Sequence, residues 1–586
     1  MHKTTGEQDP GGSGAGRRAD AWLMGLLTGL WCAAVAAAGW GGDYPVNDDW
    51  VYAISVRTLL ETGRFHLPDF SQALTLPHVY WGAAFAWLGG GFGFVPLRLS
   101  VTLLGLVGLL LAYRLLRDAG AHPAVAASAA GALGLNPLYF SLSLTYMSDV
   151  TFCVLVMATV LAWGRWLDGR GARWGLLGGL CGVLAALTRQ FGLVLLPALL
   201  LSMAWRDGLT RSTWWRGLAL VAVVVLAYGL LQHWLMLQGR QPSLQQPVSE
   251  LLWRWLKWGR VAILLLYAAM LLSPLALLWA AQRRQAWREA GCPGYDRRLL
   301  LLSLLQLPLM LAWGKYFPAW TNVLQPWGIG PVTLRDNLLL GLHVPQTPLW
   351  LWGLWGGLTL LAAWTVAVLV EAAWARRQAA TPGRAAWRAG FAVPVGWAQA
   401  RARWSAQTVL AAVAAALLGL AICFGPATFF DRYLLPVLPL LALVGVRCWP
   451  QAARPPAPKA LALAAGLCAL QLALAVVGVR DFWAMSEAKW QAVARLHARG
   501  IGPQVLDGGY DYNGWLLYRR GGPSTLPDKS WYWVEDDAYQ LALGPMPGYR
   551  LLETVPYQRR LTGRTEQIHI LQRQAPSAAQ QAPVRP

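Results

Sequence analysis

Charged residues are scarce in this sequence: Asp, Glu, Lys and Arg together make up 13% of 586 residues, while 56% are hydrophobic. An ordinary soluble protein carries about 25% charged residues, so a soluble enzyme of this size and a disordered chain are both excluded. Acidic residues are the scarcer sign, 28 against 49 Lys and Arg, which leaves a net charge of +21. In a soluble protein that excess would indicate nucleic acid. Here the basic residues stand in short loops between apolar runs, the pattern that orients a chain in a membrane. The expected partner is therefore a lipid bilayer, with no nucleic acid. Cysteine is sparse too. The seven cysteines include no Cys-x-x-Cys pair, and none falls in the last hundred residues, so neither a disulfide framework nor a zinc site is indicated. No Asp-x-Asp motif or His cluster demands a metal, and no cofactor is expected.

Long apolar runs are what the sequence has in abundance. A helix needs about 20 apolar residues to cross a bilayer. Such runs occur at 21–40, 97–117, 122–141, 148–166, 172–188, 190–206, 215–237, 260–281, 297–314, 348–372, 407–425, 432–449 and 460–479. They predict an all-α polytopic membrane protein with about thirteen transmembrane helices. The first run is too long for a signal-peptide core and lacks a clear cleavage site. The stretch 79–94 is short and broken by glycines, and reads as an interfacial or re-entrant helix. With the N-terminus inside, the seven inside segments hold 25 Lys and Arg and the six outside segments before the C-terminal one hold 11, as the positive-inside rule requires. A further span at 79–94 would reverse that bias.

Four regions follow. Residues 1–20 are polar and Gly-rich and read as a disordered cytoplasmic start. Residues 21–480 form the membrane domain, with 41–96 as its first outside loop. Residues 481–574 change character: 505–508, 530–534, 549–553 and 567–571 read as strands and 486–499 as a helix ended by Gly500, which makes a small soluble α/β domain on the outer side. The tail 575–586, rich in Pro, Ala and Gln, reads as disordered.

On this topology four charged features fall on the outer rim. Asn47-Asp48-Asp49 precedes an amphipathic stretch ending at Gly63. Helix capping accounts for it in structural terms; a general base at the membrane face is the functional reading. Asp149 stands at the outer start of the fourth run, where it is either a cap or a costly and therefore functional carboxylate. Arg189 sits between two runs with almost no loop, either snorkelling to water or holding a phosphate through paired hydrogen bonds. Arg432 opens the twelfth run beside Asp431, which could simply pair with it. Two or three carboxylates and two arginines at one rim suit an anionic lipid headgroup and a proton acceptor. No charged row runs through the middle of the spans, which argues against an ion path.

The order of these motifs resembles that of the GT-C membrane glycosyltransferases that use polyprenyl-phosphate sugars. Asp48-Asp49-Trp50-Val51-Tyr52-Ala53 follows the first span, Pro77-His78-Val79-Tyr80-Trp81 follows it, and Arg432-Tyr433-Leu434-Leu435-Pro436 comes late. The pattern is similar to that of the lipid A aminoarabinose transferases, the family 39 protein O-mannosyltransferases and the rhizobial core galacturonosyltransferases, over about residues 20–480. The resemblance implies a catalytic Asp at Asp48, with Asp49 in a place usually held by Glu. It implies a second acidic site at Asp149, and a donor-phosphate site at Arg189, where relatives usually have Lys, and at Arg432. Tyr52, His78 and Tyr433 would position substrate, His78 replacing a usual Pro. The implied activity is inverting sugar transfer from a polyprenyl-phosphate-linked donor to a lipid, glycan or protein acceptor on the outer face of a bacterial inner membrane. Two alternatives remain open. An O-antigen ligase-like transferase would need a large late outer loop, and 315–347, with Arg335 and His343, is short for that. A transporter or flippase would need inverted repeats and mid-membrane charges.

Overall fold

The computed structural model describes residues 12–71, 73–208, 210–238, 258–291, 294–312, 317–319, 322–379, 404–425, 429–519 and 532–574. The expected tail 575–586, and residues 1–11 of the expected N-terminal segment, lie outside them. The chain is overwhelmingly helical. Its helices are α1 (Gly12–Ala38), α2 (Asp49–Thr62), α3 (Leu76–Leu88), α4 (Phe94–Asp118), α5 (Pro123–Gly134), α6 (Pro137–Ser143), α7 (Ser148–Leu167), α8 (Ala172–Thr188), α9 (Leu195–Asp207), α10 (Arg211–Leu237), α11 (Trp258–Leu271), α12 (Ser273–Glu289), α13 (Tyr295–Ala312), α14 (Arg335–Leu338), α15 (Leu349–Ala379), α16 (Ala406–Phe424), α17 (Val437–Arg447), α18 (Pro458–Ala498) and α19 (Tyr510–Leu517). Helix α1 thus begins inside the segment read from the sequence as disordered.

Seven described helices are long and apolar enough to cross a membrane, or nine if two bent pairs each count as one span. One pair, α5 and α6, bends by 63° where Asn136 caps the second helix through the Leu138 and Tyr139 N–H groups and Pro137 opens it. Proline suits a first turn and interrupts a helix interior. The other pair, α11 and α12, bends by 71° at Ser273-Pro274. Several of the thirteen expected runs form shorter elements. Helix α8 has 17 residues, α9 has 13 and α17 has 11. At about 1.5 Å per residue, 11 to 17 residues fall short of a hydrocarbon core of about 30 Å. Large apolar side chains such as Trp214, Leu218, Val225, Leu226 and Leu230 of α10 point outward, as a lipid-facing surface requires.

Small residues let the bundle close. Gly178 and Gly182 of α8 lie on the indole of the fully buried Trp163 of α7, and a Cβ at Gly182 would meet that ring at 3.2 Å. Lipid supplies no hydrophobic drive between helices, so close approach of this kind carries the packing.

Helix α18 is the largest departure from the sequence reading. It runs unbroken for 41 residues, about 60 Å at 1.5 Å per residue. The expected span at 460–479 and the expected helix at 486–499 are one rod, because no Pro or Gly breaks the register between them. Its far half carries a four-stranded sheet of β3 (Leu506–Asp507), β4 (Tyr539–Ala542), β6 (Arg564–Arg573) and β5 (Tyr549–Arg559), in that order. The β3–β4 pair is parallel and the others antiparallel. Three of the four expected strands appear. Of the fourth, 530–534, only 532–534 are described, and there Tyr532 and Trp533 have φ of 52° and 65°, left-handed values that no strand admits. Ala488, Ala492, Val493 and Leu496 of α18 bury Leu506, Leu541, Val555, Ile568 and Ile570 of the sheet. A separate short hairpin, β1 (Leu324–Gln325) with β2 (Gly328–Ile329), lies in the loop after α13.

The sheet is locked to the rod by a carboxylate. Asp481 of α18 accepts from the backbone N–H groups of Arg560 and Leu561, at 2.7 and 2.9 Å, in the β5–β6 turn. An Asp481→Ala substitution leaves two N–H groups without their acceptor. It should cost about 1–3 kcal/mol of local stability, read as faster amide exchange in β5 and β6 while exchange in α4 and α7 stays unchanged.

Candidate functional site

The start of α2 places two adjacent carboxylates, the cap residue Asp48 and the first helical residue Asp49, on different sides. Successive helical residues point about 100° apart, and the two side chains separate accordingly. Asp49 turns inward. It pairs with Arg98 of α4 at 3.3 Å, both side chains having 0% exposure, and accepts from the Tyr146 N–H at 3.0 Å. Arg98 also donates to the carbonyls of Trp40, Gly42 and Tyr44, so it pins the 40–44 loop and the start of α2 to α4. Burial pushes the Asp49 carboxyl up to about 7, against the pull of Arg98. Asp49 thus faces the protein interior, where its carboxylate is engaged by Arg98 and the Tyr146 N–H. In the sequence Arg98 is an arginine at the edge of the run 97–117 with no motif around it to mark it.

Asp48 turns the other way. It occupies the cap position of α2 but makes no side-chain cap bond. Its Oδ2 accepts from Arg432 at 2.7 Å and its Oδ1 from the Tyr510 hydroxyl at 2.6 Å, and 21% of its side chain is exposed. Arg432 belongs to the 3₁₀ turn Asp431–Leu434. Asp431 does not pair with the Arg432 guanidinium. It accepts instead from the Val323, Leu324 and Arg432 N–H groups, so it fixes the turn against the β1 hairpin. Burial pushes its carboxyl up to about 6, against those three donors.

A second pair stands beside the first. Arg189, at the end of α8, approaches Asp149 of α7 to 3.0 Å and donates to the Ser148 hydroxyl at 3.0 and 3.2 Å. Asp149 lies in the first turn of α7, and its Oδ2 makes no hydrogen bond despite that close approach, so the pair is near but misaligned. The buried Nε of Arg432 also lacks an acceptor. The Tyr433 ring lies between the pairs, its centroid 5.7 Å from both guanidinium carbons. Tyr52 is buried within the same field of Asp48, Arg432, Arg189 and Asp149, and burial pushes its phenol up to about 12. A hydrogen bond of 3.1 Å from the Thr75 N–H to the Thr188 carbonyl ties the loop before α3 to the end of α8.

His78 stands apart from the exposed side of this cluster. It is fully buried, its Nδ1 lies 2.9 Å from the Thr151 hydroxyl, its ring stacks on Tyr146 at 4.3 Å, and its Nε2 lies 3.4 Å from the Tyr146 carbonyl. Burial drives the imidazole down to about 3, so it is neutral. It backs the Tyr52 ring, with centroids 5.7 Å apart in a T-shaped contact. Arg335 and His343 are engaged elsewhere, with Asp537 and Asp336. Tyr510, from the C-terminal domain, had no sequence signal at all. Among the described residues, no group of three or more His, Cys, Asp or Glu is placed to hold a metal ion.

The charged cluster thus comprises two arginines and two carboxylates, brought from four distant segments. Residues 75–231 match the family model described as dolichyl-phosphate-mannose-protein mannosyltransferase. This is a membrane glycosyltransferase family of the class that the motifs resemble. The matched segment runs from the start of α3 into α10 and holds Asp149 and Arg189. A search of curated proteins finds no match. Among solved structures, the chain is similar to the oligosaccharyltransferase AglB of Archaeoglobus fulgidus, solved with an inhibitory peptide and a dolichol-phosphate, at TM-score 0.40 and 13% identity, covering 87% of this chain and 62% of that one. It is also similar to ArnT of Cupriavidus metallidurans bound to undecaprenyl phosphate, at TM-score 0.32 and 16% identity, covering 84% and 83%. This chain therefore spans less than two thirds of the archaeal protein's length.

The Asp49–Arg98 pair makes a pH-dependent prediction. Removing one partner of a buried pair costs about 3–5 kcal/mol, so Arg98→Met should lower the unfolding midpoint in detergent sharply. The folded Asp49 carboxyl lies above its unfolded value, so the fold binds its proton more tightly than the unfolded chain does. Stability is then retained at acid pH and lost as pH rises through about 7. The Arg98→Met defect should accordingly be larger at pH 8 than at pH 5, and adding Asp49→Asn should relieve it at pH 8.

Proposed function

We propose that this protein transfers a sugar from a polyprenyl-phosphate-linked donor to an acceptor at the outer face of a bacterial inner membrane. The observation that carries this reading is the pairing of Asp48 with Arg432 and of Asp149 with Arg189 on either side of Tyr433, in a chain of membrane-length helices. The family match over residues 75–231 supports the donor class. An arriving donor phosphate competes with Asp48 for Arg432, whose Nε has no acceptor of its own, and with the misaligned Asp149 for Arg189. Arginine suits this exchange because its planar fork binds phosphate oxygens in pairs.

Once Arg432 engages phosphate, Asp48 loses one donor, which frees its Oδ2 to accept a proton. The acceptor oxygen then attacks the anomeric carbon from the face opposite the phosphate, with inversion. The bond from that carbon to the phosphate oxygen breaks, the acceptor proton passes to Asp48, and the charge left on the lipid phosphate is stabilised by the two arginines. A lipid, glycan or protein hydroxyl fits this scheme.

The test is release of undecaprenyl phosphate by purified protein from a panel of undecaprenyl-phosphate hexoses and pentoses. Asp48→Asn should lower turnover by about 10²-fold or more with little change in binding of undecaprenyl phosphate. Arg189→Ala and Arg432→Ala should weaken that binding by roughly 10- to 150-fold, the value of a charged hydrogen bond. Native affinity in both arginine variants would remove the phosphate clamp.

The orientation rests on the excess of Lys and Arg in segments read as inside. A reporter fused after residue 574 and active only when exported should be active. An inactive fusion, with a reporter that works only in the cytoplasm active at the same position, would place the site on the other face.

A further inference from the structure

The C-terminal domain touches Asp48 itself. The Tyr510 hydroxyl donates to Asp48 Oδ1 at 2.6 Å across 462 residues of sequence. Its ring is 7% exposed and packs between Trp50, at 5.9 Å, and Tyr532, at 4.8 Å. Burial, together with the neighbouring carboxylate, pushes the phenol well above its usual value, so the proton stays available for donation.

An unusual amount of buried polar structure holds this one side chain in place. Gly509 has φ +91°, and a Cβ there would meet the Thr333 carbonyl oxygen at 2.7 Å. The Tyr510 N–H donates to that same carbonyl at 2.9 Å. The Asp507 carboxylate accepts from the Gly509 N–H at 3.0 Å and from the Asn513 amide at 2.8 Å, while the Asn513 carbonyl oxygen accepts from the Gly508 N–H at 3.1 Å. On the other side of Tyr510, Asp511 is bound by buried Lys489 and by Thr333. Asp507, Asn513, Asp511 and Lys489 are all buried. Burying such groups costs desolvation that apolar residues would avoid. What they supply is geometry, the fixed backbone that a precisely placed functional group needs.

We propose that Tyr510 is a positioning residue for the transfer reaction. By holding Asp48 Oδ1, it keeps the carboxylate oriented after Arg432 has turned to the phosphate, leaving Oδ2 to accept the proton, and it makes turnover depend on the docked C-terminal domain. A carboxylate with no donor on either oxygen can rotate about its Cβ–Cγ bond, whereas a donor retained on one oxygen restrains it. This inference rests on the role proposed above for Asp48.

The experiment compares variants of the full-length protein in detergent, using the donor from the panel that the native protein turns over fastest. Tyr510→Phe keeps the ring and its packing and removes only the hydroxyl. It should lower kcat by about 10-fold or more, the value of a hydrogen bond to a charged group, with KM, undecaprenyl phosphate affinity and unfolding midpoint near native. Gly509→Ala, which displaces the Tyr510 backbone, should move kcat in the same direction. Tyr518→Phe is the control, since its hydroxyl accepts from the Asp69 N–H at the same interface and does not reach Asp48; its turnover should be native. In an Asp48→Asn background, Tyr510→Phe should add less than about twofold, because residues acting through one contact are not additive. Native kcat for Tyr510→Phe alongside an impaired Asp48→Asn overturns this inference alone. So does a full multiplicative loss in the double variant. Native turnover by Asp48→Asn overturns the underlying reading instead.

Discussion

A guanidinium buried at the edge of an apolar bundle is costly without a counter-charge, and among the described residues three such arginines meet a carboxylate. Arg98, Arg189 and Arg432 are each within 7% exposure, and each meets a carboxylate: Asp49, Asp149 and Asp48. The cost of leaving such a charge unpaired, several kcal/mol, dictates which helix ends approach one another. Arg98 draws the start of α2 onto α4, Arg189 draws the end of α8 onto α7, and Arg432 draws a turn near the end of the membrane domain back to the first loop. The charged rim is assembled by these three contacts.

The three pairs are not equivalent. Asp49 and Arg98 form a closed set, with Arg98 also bound to three carbonyls. The other two pairs are under-satisfied: Arg432 Nε and Asp149 Oδ2 lack hydrogen-bond partners. Buried polar groups are normally paired, and under-satisfied ones beside a partly exposed carboxylate give the rim room to exchange a protein anion for a ligand anion. The closed pair is scaffold and the open pairs are the candidate chemistry.

The long helix α18 extends this logic beyond the bundle. Only about 20 of its 41 residues are needed to cross a bilayer. The remainder is a rigid post that sets the sheet against the rim, and Asp481 holds the β5–β6 turn to it. A flexible joint at this point would let Tyr510 wander. The continuous helix confines it to one side of Asp48.

The membrane character of the chain and the collection of Asp48, Asp149, Arg189 and Arg432 near span ends were legible in the sequence, because apolar run length and charge placement are local properties. The resemblance to polyprenyl-phosphate-sugar transferases was legible in short motifs for the same reason. Helix breaks were legible only in part. Pro137 and Pro274 divide runs that composition counted as single spans, while the absence of any breaker after residue 480 fused a span with a helix read as separate. Which of two adjacent aspartates faces the rim was decided by tertiary structure, since the answer depends on where Arg98 and Arg432 stand when α2 is packed. The burial of His78 and the arrival of Tyr510 at Asp48 were decided there too. A contact across 462 residues leaves no local pattern, and only the closed fold brings its two ends within a hydrogen bond.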